Sequence, residues 1–241
     1  MMPVAILAGG LATRLRPTTL TTPKSLVLIA GEPFIAHQLR LLRREGVDRV
    51  VMCVGYLGEV IRDFVGDGRS FGLDVVYSFD GEALLGTGGA LRQALPLLGS
   101  SFFVLYGDSY LDVAFAPILV AFERSGAPAL MTVFRNNGHW DTSNASFDGH
   151  YVRFNKRNPT PDMSYIDYGL GILTDKPLLE QEANMGVKEK RTFDLAEVYA
   201  KLAASGQLAG YEALHRFYEI GTFRGCAEAD SYLRVGTSER N

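Results

Sequence analysis

The first residues that could carry out chemistry lie in a long loop that begins at two adjacent glycines. Gly9 and Gly10 follow a short apolar run, and Arg14 and Lys24 lie farther along the same loop. Glycines let the backbone approach a ligand closely and leave N–H groups open to anions. Arginine grips phosphate oxygens with a rigid fork of donors, and lysine supplies a point charge. This order of residue types predicts a polyphosphate-binding site.

The loop differs from two common phosphate-binding sequences. No Gly-Lys-Ser/Thr follows the glycines, which excludes a P-loop. A dinucleotide fingerprint needs a helix directly after its glycines, whereas Pro17 and Pro23 prevent an early helix here. A loop of about two dozen residues is rare in a compact domain unless it has a function.

A carboxylate stands at the end of a later strand-like run. Asp108 follows Gly107 and the apolar segment 102–106. Ligands of open α/β sheets gather at the carboxyl ends of the strands. Magnesium prefers oxygen ligands, and a metal ion neutralises phosphorylated reactants that repel each other. Asp108 is therefore a candidate metal ligand and catalytic residue.

Two further segments are candidates for binding. Glycines at 86, 88 and 89 begin a helical pattern, and the N-terminus of a helix favours polar or anionic groups. Asp167 lies within an apolar strand-like run at 165–173, where an acid is costly unless it has partners.

The elements that position these residues alternate between strand and helix in the first half of the chain. Strand-like segments are at 4–8, 49–54, 73–79, 102–106 and 129–135, and helical ones are at 34–45, 57–65, 87–98 and 116–124. This alternation predicts a mostly parallel sheet that helices cover. The second half predicts a hairpin at 147–154, a strand at 165–173, a helix at 194–204, a short strand at 217–220 and a final helix.

Composition favours an ordinary globular protein of 241 residues, 47% hydrophobic and 21% charged. The net charge of −3 argues against a nucleic-acid-binding protein, which usually carries a basic surplus. Two cysteines without CxxC spacing and four histidines without ligand spacing indicate reduced thiols in a cytoplasmic protein and no structural zinc. Neither a signal peptide nor a membrane-spanning run is expected.

Several motifs together resemble the sugar-1-phosphate nucleotidylyltransferases. They are LAGGLATRLRP and TPKSLVLIAGEPFI in the loop, LGTGGAL at 85–91, YGD at 106–108 and YEIGT at 218–222. The resemblance implies a Rossmann-like three-layer α/β/α fold, with a mixed, mostly parallel sheet and a smaller sugar-binding lobe. It is strongest to small bacterial heptose- or hexose-1-phosphate guanylyltransferases and to the uridylyltransferases of cell-wall sugar recycling, which implies nucleotide-sugar biosynthesis for the cell envelope.

The resemblance also implies a division of the single domain, 1–241. A nucleotide-binding half covers about 1–110, a sugar-binding lobe covers about 111–221, and a C-terminal helix covers 222–235. The implied partners are a nucleoside triphosphate and a sugar 1-phosphate, without nucleic acid or membrane, and a homodimer stays open.

The implied reaction joins the two substrates and releases pyrophosphate, with Mg²⁺ as cofactor. The sugar phosphate attacks the α-phosphorus in line, and catalysis consists mainly of positioning and charge stabilisation. Arg14 would stabilise the leaving pyrophosphate, and Lys24 would bridge the α-phosphate and the incoming phosphate. Asp108 and Glu219 would bind the metal.

Binding residues follow from the resemblance as two groups. The nucleotide site would comprise Leu7, Ala8, Gly9, Gly10, Thr13, Arg14, Gly86, Thr87 and Gly88. The acceptor site would comprise Lys24, Gly89, Asn155, Lys156, Asp167 and Gly169. Three residues depart from the family pattern, because Ala12 replaces a glycine, Asn155 a glutamate and Glu219 an aspartate. Alanine adopts a positive φ only at a cost, and Asn155 indicates a different sugar recognition.

Two other functions stay open. The same chemistry could transfer a cytidylyl group to phosphocholine or another non-sugar phosphate, since Trp140, Tyr165 and Tyr168 could surround a quaternary ammonium group. The chain could also be a non-catalytic sensor of nucleotides or sugar phosphates. The basic loop residues together with two metal-binding acids argue against a sensor, which needs no pair of metal ligands.

Overall fold

A computed structural model describes residues 1–185 and 192–238. The strands are β1 (Val4–Leu7), β2 (Leu28–Ile29), β3 (Glu32–Pro33), β4 (Arg49–Val54), β5 (Asp74–Phe79), β6 (Ser101–Tyr106), β7 (Ser109–Tyr110), β8 (Ala129–Arg135), β9 (Ala145–Phe147), β10 (Val152–Phe154), β11 (Tyr165–Thr174), β12 (Leu208–Ala213) and β13 (Tyr218–Glu219). The helices are α1 (Phe34–Arg44), α2 (Gly58–Val65), α3 (Gly86–Leu98), α4 (Phe115–Ser125), α5 (Lys176–Ala183), α6 (Leu195–Ala204) and α7 (Phe223–Ser238).

One mixed sheet forms the centre of the fold. Strands β6, β1, β4 and β5 lie side by side in that order and run parallel. Strand β11 pairs antiparallel with β6 and with β8, and β12 extends the sheet parallel to β8. Strands β9 and β10 form the predicted antiparallel hairpin. The strand–helix alternation of the first half thus produces the parallel part of the sheet.

Helices cover both faces of the sheet because side chains along a strand alternate between two cores. In β1, Val4 and Ile6 pack with α1, α2 and α4, whereas Ala5 packs with α3, α5 and α6. All three side chains are fully buried, as the two-residue period of a strand between two helical layers requires. A third apolar cluster joins α7 to β2 and to the strand pair β7–β13. The three layers confirm the predicted fold class.

Some elements differ from the sequence predictions. The pattern did not indicate α5 or β12, and the final helix runs Phe223–Ser238, beyond the predicted end at 235. The long loop after β1 contains short 3-10 turns at Thr13–Leu15, Thr18–Leu20 and Lys24–Leu26. In the two described ranges, no helix combines the length and apolarity needed to cross a membrane.

Candidate active site

The carboxyl ends of the parallel strands meet at one edge of the sheet. Leu7 at the end of β1 is in register with Cys53 of β4 and with Tyr106 of β6. The chain continues from β1 toward β4, whereas β6 lies on the other side of β1. The long loop and Asp108 therefore border a crevice at the point where the strand order reverses, which is where open α/β sheets bind ligands.

A close backbone contact brings Asp108 to this crevice. The N–H of Gly107 donates to the Leu7 carbonyl at 3.0 Å. A Cβ atom on Gly107 would lie 2.7 Å from that same oxygen, so a larger residue would push the strand ends apart. Glycine at this position thus lets the acid follow β6 directly beside β1.

An ion pair connects the long loop to the end of β6. Nζ of Lys24 lies 2.5 Å from Oδ2 of Asp108, and the two side chains are 17% and 29% exposed. Lys24 opens a 3-10 turn, in which the Leu26 N–H donates to the Pro23 carbonyl at 2.9 Å. The fixed φ of Pro23 helps to orient this turn. Both charged groups therefore stay within reach of a ligand.

The second predicted metal ligand reaches the same place through a short strand pair. Glu219 of β13 is in register with Ser109 of β7, and the Ile220 N–H donates to the Asp108 carbonyl at 2.9 Å. Solvent reaches the Glu219 side chain. The protein around its carboxyl group, and next the negative charge of Asp108, raise the pKa of Glu219 to about 7. The two carboxylates therefore repel each other within one cleft.

Two cations converge on the backbone that follows Glu219. A Cβ atom on Gly221 would lie 3.4 Å from Nη2 of Arg14 and 3.5 Å from Nζ of Lys24. Arg14 is exposed and borders a cavity that Glu219 also borders. A guanidinium and an ammonium group at one point suit the oxygens of adjacent phosphates.

A cavity of about 280 Å³ opens beside the Lys24–Asp108 pair, and we call it the first cavity. Its wall includes six predicted nucleotide-binding residues: Leu7, Ala8, Gly9, Gly10, Gly86 and Thr87. Thr13 is exposed on the loop. Gly88 and Gly89 are buried, and their N–H groups donate to the Phe193 carbonyl at 2.9 and 3.1 Å. These two glycines therefore hold α3 against the segment that precedes α6.

A second cavity of about 570 Å³ lies next to the first. The two cavities share Thr87, Tyr106 and Asp194 as a common wall. The predicted acceptor residues Asn155 and Lys156 border the second cavity. Ligands in the two cavities would therefore be neighbours, and both would lie against these three residues.

Asp167 and Gly169 lie in a bulge of β11. The register with β8 shifts between Asp167 and Gly171, and Gly169 has a φ of +88°. The Gly169 N–H donates to Oδ1 of Asp167 at 3.0 Å. Burial raises the pKa of Asp167 to about 6, although the Gly169 N–H and the charge of Lys156 lower it. The bulge thus holds an acid near the predicted acceptor residues.

The three aromatic residues considered for a quaternary ammonium acceptor have separate partners. The Trp140 ring lies over Arg216, with 3.6 Å from Cζ to the ring centroid. Tyr165 and Tyr168 are buried, at 4% and 1% exposure. The three rings therefore contribute to packing or stacking at different places.

Sequence reasoning missed Asp80 and Asp194, which both border the first cavity. Asp80 directly follows β5 at the same sheet edge as Asp108, so its position after a strand was a usable signal. Asp194 precedes α6, and its sequence context carried no such signal. The fold places it beside Thr87, although more than a hundred residues separate the two in the chain.

Comparison with known proteins supports the same conclusion as the geometry. Residues 4–149 match the family described as "Nucleotidyl transferase". The N-acetylmuramate α-1-phosphate uridylyltransferase of Neisseria meningitidis is 42% identical over 115 residues, which are 47% of this chain and 50% of that protein. The catalytic subunit beta of mannose-1-phosphate guanylyltransferase of Danio rerio is 29% identical over 227 residues, 91% of this chain and 61% of that protein. The matched regions thus span about half to three-fifths of these relatives.

A solved structure shares the fold. The structure of HddC from Yersinia pseudotuberculosis, complexed with GMP-PN, has a TM-score of 0.76 and 23% identity, and the match covers 97% of this chain and all of that chain. The family match extends over more than half of the sequence. The chain therefore belongs to the nucleotidyl transferase family.

Proposed function

We propose that the chain transfers a nucleotidyl group from a nucleoside triphosphate to a sugar 1-phosphate, giving a nucleotide sugar and pyrophosphate. The observation that carries this proposal is the convergence of Arg14 and Lys24 with the acids Asp108 and Glu219. Lys24 and Asp108 of this group also border the first cavity. Two similar proteins are named as a uridylyltransferase and a guanylyltransferase of sugar 1-phosphates, which supports nucleotidyl transfer as the reaction.

The proposed mechanism needs no general base, because the sugar phosphate is already anionic near neutral pH. Its oxygen forms a bond to the α-phosphorus while the bond to the β-phosphate breaks, and pyrophosphate leaves. Lys24 binds oxygens of the α-phosphate and of the incoming phosphate and so reduces their repulsion. Arg14 binds the leaving pyrophosphate with its planar fork of donors.

Asp108 and Glu219 fit a divalent cation. Burial and, next, the negative charge of Asp108 raise the pKa of Glu219, and a bound cation would favour the ionised form of both acids. In the described ranges no three or more histidine, cysteine or acidic side chains form a group that could hold a metal ion without other ligands. Phosphate oxygens and water would complete the oxygen ligands that Mg²⁺ prefers. When bound, the cation would offset the charge of the triphosphate.

The two cavities suggest where each substrate binds. We assign the nucleotide to the half at 1–110, which supplies most of the first cavity. We assign the acceptor to the lobe at 111–221, where Asn155, Lys156 and Asp167 lie. We place the reaction in the cytoplasm, where both substrates are found and where the free thiols of Cys53 and Cys226 would stay reduced.

Pyrophosphate release tests the proposal. ATP, GTP, CTP and UTP are each combined with several sugar 1-phosphates and with phosphocholine, in Mg²⁺ and in excess chelator. We expect Mg²⁺-dependent release with at least one sugar 1-phosphate, and a loss of about 100-fold or more in Asp108→Asn. Arg40→Ala, which breaks an exposed ion pair with Glu32, should keep the wild-type rate.

Two results would contradict the proposal. Release with phosphocholine alone would support the cytidylyltransferase alternative. Failure of the folded protein to release pyrophosphate or to exchange labelled pyrophosphate with any combination would support a sensor.

A further inference from the structure

Asp80 brings a carboxylate to the wall of the first cavity. In the sequence it lies far from Lys24 and Asp108, the proposed phosphate-binding and metal-binding residues of that cavity. It directly follows β5, and its backbone N–H donates to the Val54 carbonyl at 2.9 Å. Its Oδ2 accepts the Leu85 N–H at 3.2 Å. Backbone and side chain are therefore both held, and the carboxylate has a fixed position at the sheet edge.

The backbone of two glycines and two apolar side chains lie near this carboxylate. A Cβ atom would lie 3.0 Å from its Oδ2 if added to Gly55, and 3.4 Å if added to Gly9. Leu84 and Ala90 border the same cavity. Glycine at positions 9 and 55 thus lets the carboxylate pack closely against the backbone at the cavity wall.

Asp80 is incompletely paired. Among the residues that the structure describes, no lysine or arginine forms an ion pair with it, and its Oδ1 accepts no hydrogen bond. Burial raises the pKa of its carboxyl group. A partly desolvated acid with a free oxygen in a cavity wall is suited to a ligand that donates hydrogen bonds.

The nucleobases adenine, guanine, cytosine and uracil (with thymine resembling uracil) differ in the hydrogen-bond donors and acceptors that they present to a carboxylate. An ionised carboxylate only accepts hydrogen bonds. Guanine presents two adjacent donors, the ring N1–H and the exocyclic amino group. Uracil and thymine present one N–H between two carbonyl oxygens, which a carboxylate repels. Adenine and cytosine present an amino group beside an unprotonated ring nitrogen, whose lone pair is likewise repelled.

We propose that the Asp80 carboxylate accepts the N1–H and amino hydrogen bonds of guanine, so that the chain selects GTP over the other nucleoside triphosphates. This inference rests on the proposed nucleotidyl transfer, since that function places the nucleoside in the first cavity, and it adds the identity of the base. Leu84 contributes an apolar wall, while Lys24 and Asp108 lie at the phosphate end.

Calorimetric titration of the full chain with each triphosphate in Mg²⁺, without acceptor, tests the base assignment independently of turnover. A good bidentate contact to a base discriminates by about tenfold to a hundredfold in affinity, so we expect GTP to bind tighter than UTP by about that factor. Equal affinities, or tighter binding of any other triphosphate, would overturn the inference.

Two variants of Asp80 and one matched control sharpen this test. Asp80→Asn presents one donor and one acceptor, which complement the N–H and a carbonyl of uracil, so the GTP-to-UTP affinity ratio should fall about tenfold or more. Asp80→Ala should bring the ratio close to one. Glu82→Gln removes an exposed acid two residues away and should keep the wild-type ratio. An unchanged ratio in both Asp80 variants would overturn the inference.

The two proposals fail in distinguishable ways. Pyrophosphate release from sugar 1-phosphates with a base preference that ignores Asp80 would overturn the base assignment and keep the proposed function. Selective binding of GTP that depends on Asp80, without release from any acceptor, would support the base assignment and contradict the proposed function.

Discussion

Nζ of Lys24 and Oδ2 of Asp108 lie 2.5 Å apart, although 84 residues separate them in the chain. The strand pair β7–β13 brings Glu219 beside the same acid. The lysine thus holds a positive charge against the Asp108 carboxylate and next to the backbone of Gly221, and this charge lowers the pKa of Glu219. This charge balance would change when phosphates enter, because their oxygens compete with Asp108 for the ammonium group.

Replacing Lys24 with alanine should therefore affect turnover far more than stability. Removing one preorganised donor typically lowers kcat by about 100- to 1,000-fold, and we expect that range for pyrophosphate release. Both side chains of the ion pair are partly exposed, so the free energy of unfolding should change by less than about 1 kcal/mol. Near-normal turnover in a folded Lys24→Ala protein would contradict the proposed role.

Ala12 adopts a backbone conformation that alanine disfavours, with φ 48° and ψ 43°. The left-handed conformation costs an L-residue about 1–2 kcal/mol, while glycine adds about 0.4–1 kcal/mol of unfolded-state entropy. Ala12→Gly should therefore stabilise the protein by about 0.5–1 kcal/mol in urea unfolding. Ala227→Gly is the control, since Ala227 is exposed in the interior of α7, where glycine costs about 0.5–1 kcal/mol relative to alanine, and it should only lose stability. A stability loss in Ala12→Gly would refute this account of the strain.

The part of the site that lies at strand ends could be predicted from sequence. Gly9 and Asp108 each follow an apolar run, and parallel strands place such positions at one edge. The strained backbone at Ala12 could also be predicted. The resemblance implies glycine at this position, and the alanine found there adopts the left-handed conformation. Local patterns were sufficient where the chemistry sits directly on regular elements.

Other parts depend on tertiary contacts that a local pattern does not contain. Strand β12 has the sequence LAGYEA, in which glycine and glutamate interrupt the apolar run, and its pairing with β8 stabilises it as a strand. Asp194 reaches the first cavity because the Phe193 carbonyl accepts N–H groups from the start of α3. Neither arrangement could be inferred from periodicity, since both partners are distant in sequence.

Asp167 should make stability depend on pH. Its folded-state pKa of about 6 lies above its ordinary value of 3.8 because of burial, so the folded state binds the proton more tightly and loses stability as the pH rises from about 4 to 6. Asp167→Asn does not titrate. The difference in free energy of unfolding between this variant and wild type should rise from near zero below pH 4 to about 1–2 kcal/mol above pH 7. This is less than the whole pKa shift of Asp167 would give, because some solvent reaches the side chain.

A second acid provides the control for this measurement. Asp162 is exposed, and hydrogen bonds from Thr160 and from Arg153 lower its pKa. The ionised Asp162 therefore stabilises the folded protein, and this stabilisation is lost as the pH falls. The stability difference between Asp162→Asn and wild type should accordingly change with pH in the opposite direction. Urea unfolding at several pH values from about 2.5 to 8 measures both variants, because Asp162 titrates below its ordinary pKa of 3.8. A pH-independent difference for Asp167→Asn would contradict the burial of a titrating acid.

Trp140 is the only tryptophan of the chain, and its ring lies 3.6 Å from Cζ of Arg216. Arg14 borders the same cavity, so pyrophosphate bound there would alter the electrostatic environment of the indole. We expect titration with pyrophosphate to change the tryptophan emission, and Arg216→Ala to shift it to longer wavelength as water replaces the guanidinium. Arg224→Ala, which also borders the cavity, should keep the wild-type spectrum. Pyrophosphate that inhibits turnover without changing the emission would place its binding site away from Trp140.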